Sequence, residues 1–253
     1  MSEDATRRDA WNELRQLTGA RIGLARSGAS LATAPLLQFA LAHAQARDAV
    51  HETLDEAKLA EALEALDLPV LNVASAASDR QQYLMRPDLG RRLAEHADAV
   101  LASYQGPYDV AFVIADGLSA RAVQTHAAPV LRDIIPALLR EDRRIAPLVI
   151  ARQARVALGD EIATALKANA VVVLIGERPG LSSPDSMGAY LAWRPHAGTT
   201  DADRNCISNI RPHGVGYADA AFKIIALLRA MRTRQLSGVM LKEESDRLAL
   251  EQT

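Results

Sequence analysis

Three short apolar segments, each followed by a polar turn, constrain the fold of this 253-residue chain more than any other feature. The segments have the length and the β-branched content of strands buried on both faces of a parallel sheet, and they lie at 110–115, 146–151 and 170–175. In an open α/β sheet, ligands bind at the carboxyl ends of the strands. The polar turns that follow the three segments are therefore predicted to lie together at one ligand-binding edge.

Helical patterns alternate with these segments after Gly106-Pro107, which indicates βαβ units. The further predicted elements are helices at 119–140, with an interruption or kink near Pro129, at 156–168 and at 218–234, and a strand at 188–193. The stretch from 194 to 216 has few apolar residues and is predicted to be a long loop, which inside a compact domain is usually functional.

The first hundred residues carry mainly helical signals. Residues 1–31 are polar and then contain Gly and Ser, which predicts an extended arm, and 37–48 place apolar side chains at helical spacing. Thr53 and Glu56 predict a capping box before a second helix. Pro87 fits the first turn of a third helix, whose apolar residues are Leu89, Leu93, Ala97, Val100 and Leu101.

The expected fold is therefore α/β, with a mainly helical N-terminal region followed by a Rossmann-like, mostly parallel sheet domain. The predicted domains are an N-terminal arm and helical region at 1–105 and an α/β domain at 106–253.

Composition excludes several classes of partner. A net charge of −2 and 4% aromatic residues argue against a nucleic-acid-binding surface. The single cysteine rules out an internal disulfide framework and suits a reducing cytosol. No apolar run reaches the roughly 20 residues that a membrane-spanning helix needs, and the polar N-terminus has no apolar signal core.

The common catalytic and phosphate-binding motifs are also missing. The chain has no Gly-x-Gly-x-x-Gly, no Gly-x-x-x-x-Gly-Lys-Ser/Thr and no Gly-x-Ser-x-Gly, and its six histidines show no metal-ligand spacing. These absences count against a stand-alone α/β nucleotide-binding protein or enzyme that uses the strand-end loops, which remains the alternative function. A purely structural partner, whose polar loops contact only protein, is a third hypothesis.

Three residues are candidate ligand contacts. Glu177 follows a strand, where its carboxylate can accept hydrogen bonds from a ligand or pair with a nearby arginine. Cys206 lies in a polar stretch. Its alternative roles are a metal ligand, a nucleophile, a ligand contact and a small buried hydrophobic residue. Val156 stands at a predicted helix start, where it packs either on the sheet or on an apolar ligand face.

Four other residues of the strand-end turns leave their roles open. Asp116 is suited to bind a ligand, whereas Ser119 is equally suited to cap the next helix. Arg152 and Arg155 are suited to bind a phosphate or to form salt bridges within the protein.

Six segments, in the same order along the chain, carry a resemblance to a known family. They are ARIGLARSGAS at 20–30, HAQARDAVH at 43–51, IADGLSARAVQ at 114–124, ARQARVALGDEI at 151–162, LIGERPGL at 174–181 and DRNCISNI at 203–210. Together they make residues 11–241 similar to the small (light) subunit of ethanolamine ammonia-lyase, an adenosylcobalamin-dependent enzyme that converts ethanolamine to acetaldehyde and ammonia.

The resemblance implies a cofactor, a partner and a set of contacts. The cofactor is adenosylcobalamin, contacted through Val156, Glu177 and Cys206, with no catalytic residue and no metal ligand expected in this chain. The Asp-x-His-x-x-Gly motif of base-off cobalamin proteins is absent, in agreement with the family, which keeps the cofactor's own benzimidazole on cobalt. The partner is a large subunit, an α/β barrel that binds ethanolamine, in a higher hetero-oligomer of undetermined stoichiometry.

The two ends of the chain bear on its location. Family members of bacterial microcompartments often begin with a longer amphipathic leader, whereas only about ten residues precede the resemblance here and Met1 to Asp9 lack an apolar stripe. A cytoplasmic enzyme is therefore expected. Location in a bacterial microcompartment is the alternative if a partner protein carries the targeting sequence. The C-terminal extension at 242–253 is assigned no role.

Overall fold

The computed structural model describes residues 11–24 and 26–241. The predictions for 1–10 and for the extension at 242–253 lie outside the described residues. The chain begins with helix α1 (Trp11–Gln16), a small hairpin of β1 (Arg26–Ser27) and β2 (Ser30–Leu31), and the 19-residue helix α2 (Thr33–His51). The described part of 11–31, called the N-terminal arm below, is not extended throughout, because it contains α1 and the hairpin. Helix α2 confirms the helix predicted from 37–48.

The next segment holds helix α3 (Glu56–Leu63), strand β3 (Val70–Ala74) and the helices α4 (Arg80–Met85) and α5 (Ala97–Ala102). The capping box predicted at Thr53 is wrong, because the N-cap is Asp55, whose side chain accepts the Lys58 amide at 3.0 Å. The single helix predicted from Pro87 is also wrong: Leu89–Arg91 forms one 3-10 turn, and α5 begins only at Ala97.

The α/β part alternates strands and helices. Its elements are β4 (Val110–Ala115), α6 (Ala120–Leu139), β5 (Leu148–Arg152), α7 (Leu158–Leu166), β6 (Ala170–Gly176), β7 (Met187–Trp193), β8 (Asn205–Ile210) and α8 (Tyr217–Arg234). Of the two alternatives predicted near Pro129, an interruption or a kink, the interruption does not occur, since α6 is one helix across Pro129 and Pro136. Its broad buried face offsets the lost hydrogen bonds, which cost ~3 kcal/mol or more per internal proline.

The sheet has six strands in the order β3-β5-β4-β6-β7-β8. Strands β3, β5, β4 and β6 are parallel, and β7 and β8 continue the sheet as antiparallel neighbours. The expected α/β class with a mostly parallel, Rossmann-like sheet is confirmed. Two strands of this sheet were not predicted: β3 comes from the N-terminal region, and β8 lies in the stretch expected to be a loop.

Helices cover both faces of the sheet, because successive strand side chains point to opposite sides. One face, with Phe112, Ile114 and Leu174, packs against α3, α6 and α8. The other, with Val113 and Val173, packs against α5 and α7. Burial of each large side chain contributes roughly 1.5–3 kcal/mol. Among the described helices, none is long and apolar enough to cross a membrane.

Candidate functional site

The carboxyl ends of β4, β5 and β6 lie side by side at one edge of the sheet. The parallel register aligns Ala115 with Ala151 on one side and with Ile175 on the other. The polar turns after these strands therefore meet at one edge, as predicted. Gly117, whose φ is 55°, allows the first turn to press on the third, because a side chain there would collide with the Gly176 carbonyl oxygen.

Asp116 organises this edge from within the protein. Its buried carboxylate accepts the amides of Gln153 at 2.9 Å and Ala154 at 3.0 Å, and Arg80 Nη1 lies 3.4 Å away. Burial raises the pKa of Asp116, while the two amides and the Arg80 guanidinium oppose that shift. These contacts fix the turn after β5 and leave Asp116 a structural residue.

Ser119, Arg152 and Arg155 likewise have partners within the chain. Ser119 caps α6 by accepting the Ala122 amide, and its hydroxyl donates to the Pro184 carbonyl at 3.0 Å. Arg152 pairs with Glu56 at 2.7 Å. The Arg155 guanidinium stacks 4.2 Å from the centroid of the Tyr83 ring. Helix capping by Ser119, the salt bridge of Arg152 and the cation–π contact of Arg155 thus engage these side chains within the chain.

Glu177 directly follows β6, and its two carboxylate oxygens have different surroundings. Oε2 accepts the hydroxyl of Ser186 and the amide of Asn209, the latter at 3.1 Å. Oε1 lies beside Gly188, at 2.9 Å from the position that a Cβ there would take, and accepts no hydrogen bond from any described residue. The half-buried Glu177 thus has one anchored oxygen and one available acceptor.

Cys206 lies on β8, directly opposite Tyr190 of β7. It is an exposed free thiol, so the interpretation as a small buried hydrophobe is wrong, and its Sγ lies 3.4 Å from Ser208 Oγ. The pKa of Tyr190 is raised mainly by burial. The neighbouring Cys206 and the charge of Glu177 raise it further. Tyr190 therefore lies between the two predicted residues: it is opposite Cys206 on the neighbouring strand, and its ring and Glu177 Oε1 both lie beside Gly188.

Val156 stands in the turn between β5 and α7. It is half-buried and packs on the cluster that covers the α7 side of the sheet, which also includes Val173, Ile175 and Tyr190. Val156, Glu177 and Cys206 therefore lie on the same side of the sheet, but the described contacts join only Glu177 and Cys206, through Tyr190.

A buried ion pair sets the position of β8 relative to α7. Arg204, which precedes β8, donates to both oxygens of Asp160 in α7, with Nη1 at 2.7 Å. Both side chains are almost fully buried, at 3% and 7% exposure. Removing one partner of such a pair would leave an uncompensated charge, so Arg204 and Asp160 fix the elements that carry Cys206 and Val156.

Sequence reasoning did not find Ser186, Asn209 or Tyr190. Ser186 lies in the turn before β7, and Tyr190 lies in β7. Asn209 lies in β8, the strand that was predicted to be a loop. Only the polarity of 203–209 was a usable signal.

Among the described residues there is no group of three His, Cys, Asp or Glu side chains able to hold a metal ion. The arrangement offers an acceptor, a thiol and apolar surface, which suit contact with a ligand.

Comparison with known proteins identifies the family. The family model of the ethanolamine ammonia-lyase light chain (EutC) matches residues 8–242. A protein of Xanthomonas campestris pv. campestris named ethanolamine ammonia-lyase small subunit is 54% identical over 244 residues, which are 95% of this chain and 90% of that protein. Proteins of the same name from Pseudomonas aeruginosa and Azotobacter vinelandii are 51% and 52% identical, over 98% and 93% of this chain and 92% and 89% of their own lengths. The chain therefore belongs to the ethanolamine ammonia-lyase small-subunit family.

Proposed function

We propose that this chain assembles with a large subunit into an adenosylcobalamin-dependent ammonia-lyase that converts ethanolamine to acetaldehyde and ammonia. In this assembly the chain contributes part of the cofactor's enclosure through Glu177, Cys206 and Val156, and the large subunit, an α/β barrel, binds ethanolamine. Membership of a family named for a small subunit supports the existence of the larger partner.

The free carboxylate oxygen of Glu177 carries the cofactor assignment. Cobalamin bears several amide side chains, and each amide offers two N–H donors. Oε1 is an acceptor without a described partner, whereas Oε2 is anchored by Ser186 and Asn209. An oriented acceptor of this kind fits an amide of the corrin, and the absence of a side chain at Gly188 lets Oε1 occupy its position.

Cys206 and Val156 fit contact roles on the same side of the sheet as that acceptor. The exposed thiol of Cys206 offers polarizable surface and the half-buried Val156 offers apolar surface, both on the α7 side of the sheet. When bound, adenosylcobalamin would supply the initiating radical by homolysis of its cobalt–carbon bond. This chain's own residues then need only bind the cofactor, orient it and exclude water.

The N-terminal arm and α2 fit a role in assembly. On α2, Leu36, Leu37, Phe39 and Leu41 are exposed, and only Ala42 and Ala49 are buried. Contiguous exposed apolar side chains of this kind mark protein–protein contacts. The large subunit is the partner we assign to this surface, in line with the arm predicted from the sequence.

The proposal is tested in the assembled complex with Glu177→Ala. Titration with cyanocobalamin, followed by corrinoid absorbance, should show a dissociation constant raised about five-fold, since a lost hydrogen bond to a neutral donor costs about 1 kcal/mol. Glu61→Ala is the matched control, because Glu61 is an exposed glutamate of α3, which packs on the opposite face of the sheet. An assembled complex that binds no corrinoid, or an unchanged constant in Glu177→Ala, would contradict the proposal.

A further inference from the structure

We infer that Ser186 and the irregular stretch of β8 at Asn209 are positioning elements for Glu177. They hold Oε2 of its carboxylate and so orient Oε1 towards a ligand amide. The inference rests on the proposed function, in which Glu177 binds an amide of the cofactor, and it adds two residues that do not themselves touch the ligand.

Ser186 faces Glu177 across the entrance to the β6–β7 hairpin. The Glu177 amide donates to the Ser186 carbonyl at 2.9 Å, and the Ser186 hydroxyl donates to Glu177 Oε2. Ser186 is 6% exposed, so its hydroxyl is removed from water. A buried hydroxyl without a hydrogen-bond partner destabilises the fold. The Ser186 hydroxyl avoids this cost by donating to the Glu177 carboxylate.

Asn209 supplies the second donor because β8 carries an extra residue there. Met187 pairs with Ile210 and Ala189 pairs with Ile207, so two steps along β7 correspond to three along β8. Such a bulge redirects one residue out of the regular ladder. Asn209 adopts a left-handed φ of 60°, and its amide donates to Glu177 Oε2 at 3.1 Å.

The chain after β8 holds Asn209 in this conformation. Arg211 Nε donates to Asn209 Oδ1 at 2.8 Å, and the Val215 amide donates to the Asn209 carbonyl at 2.8 Å. A non-glycine residue with positive φ persists where its surroundings over-determine it, and such residues cluster at binding sites. The bulge is thus a fixed feature whose amide is directed at one oxygen of one carboxylate.

The consequence is a pre-oriented acceptor. With Oε2 held by one donor from the turn before β7 and one from β8, the Glu177 side chain has little rotational freedom left, and Oε1 keeps its place before the ligand arrives. Pre-organisation of this kind increases affinity because less entropy is lost on binding. Loss of the Ser186 donor should therefore weaken cofactor binding only when Glu177 is present.

A double-mutant cycle in the assembled complex tests this dependence. The four proteins are the wild type, Ser186→Ala, Glu177→Ala and the double variant, each titrated with cyanocobalamin. Ser186→Ala should raise the dissociation constant about three-fold in the wild-type background and by less than about 1.5-fold in the Glu177→Ala background. The KM for adenosylcobalamin should follow the same pattern, with little change in kcat.

Ser182→Ala, an exposed serine of the same hairpin, is the control and should leave the constant unchanged. Ser186→Cys keeps a weak donor of similar size and serves if the alanine variant fails to assemble; its smaller effect should also vanish without Glu177. An equal effect of Ser186→Ala in both backgrounds, or no effect while Glu177→Ala weakens binding, would overturn the inference. If Glu177→Ala itself is silent, the role of Glu177 in the proposed function fails instead.

Discussion

At the residue scale, the polar side chains of the candidate site divide into those bonded within the chain and those that keep an unpaired or exposed polar atom. Asp116, Arg152 and Arg155 are used in internal contacts. Glu177 keeps one oxygen free, and Cys206 keeps its thiol exposed. This division, more than position at a strand end, supports Glu177 and Cys206 as the proposed ligand contacts.

Cys206→Ala should reduce cofactor affinity modestly, by about two-fold, without abolishing turnover, because the proposed role of the thiol is contact and not nucleophilic attack. The measurement is the dissociation constant for cyanocobalamin together with ammonia release by the complex with adenosylcobalamin. Complete inactivation, with cofactor binding and assembly intact, would show that the thiol has a chemical role.

His126 gives the folded chain a defined pH dependence. Its buried ring lies 2.8 Å from the Tyr217 hydroxyl through Nδ1, and Nε2 lies 3.5 Å from Asp185. Burial lowers the pKa of His126 below its ordinary 6.5, opposed by Asp185 and reinforced by Arg211. The unfolded chain therefore takes up this proton more readily, so the stability that depends on neutral His126 is present above the unfolded pKa and is lost as the pH falls.

We therefore expect the free energy of unfolding in urea to fall from about pH 7.5 to about pH 5.5 more steeply in the wild type than in His126→Gln. His213→Gln, which removes an exposed histidine, should keep the wild-type slope. Identical slopes in the wild type and His126→Gln would contradict the assignment.

At the element scale, burial determined which strands could be predicted. Strands β4 and β6 are buried along their whole length and read as continuous apolar runs, and β7 is nearly so. Strand β3 was missed because its five residues alternate in exposure within a helical region. Strand β8 was missed because half of its side chains are exposed and polar, and its pairing with β7 is not encoded locally.

The same limit applies to the site. Glu177, Cys206 and Val156 were proposed because motifs in the sequence match a family, whereas the contacts of Ser186 and Asn209 with Glu177 depend on a backbone pairing and a bulge. A bulge depends on the register between two strands that are distant in sequence, and no local pattern in 203–210 specifies it.

Helix α2 is the element whose exposed face most needs a partner. Leu37 and Leu41, at 63% and 60% exposure, are four residues apart and share one face. The double variant Leu37→Lys/Leu41→Lys should weaken association with the large subunit at least about ten-fold, since interface anchors typically contribute more than about 1 kcal/mol each. Stability of the isolated chain should be unchanged, because both side chains are already in water.

Association is measured by size-exclusion chromatography at a series of protein concentrations. The control is Gln38→Lys/Gln45→Lys, which adds the same charge at exposed polar positions of α2. Deletion of residues 1–31 should also weaken association while the α/β domain stays folded. Complex formation that is unaffected by both changes would remove the arm and α2 from the interface.

At the scale of the whole molecule, the chain provides a scaffold with one edge that can face a ligand. The described residues contain no metal-ligand cluster, and the polar residues of that edge are mostly engaged within the chain. Its apolar surface on α2 lies outside the sheet core. The exposed apolar surface on α2 and the free acceptor of Glu177 support the proposal of a subunit that completes a site together with a larger partner.

The isolated chain should therefore neither release ammonia from ethanolamine nor bind adenosylcobalamin tightly. One carboxylate oxygen, one thiol and one valine offer too few contacts for a ligand of that size, and the remaining enclosure is assigned to the large subunit. The measurement compares ammonia release and corrinoid titration for the chain alone, the large subunit alone and the two together. Only the mixture should show both activities, and adding the chain should restore them in proportion to complex formed. Sustained ammonia release by a preparation free of the large subunit would contradict this division of roles, and corrinoid binding by the large subunit alone at full affinity would remove the cofactor role from this chain.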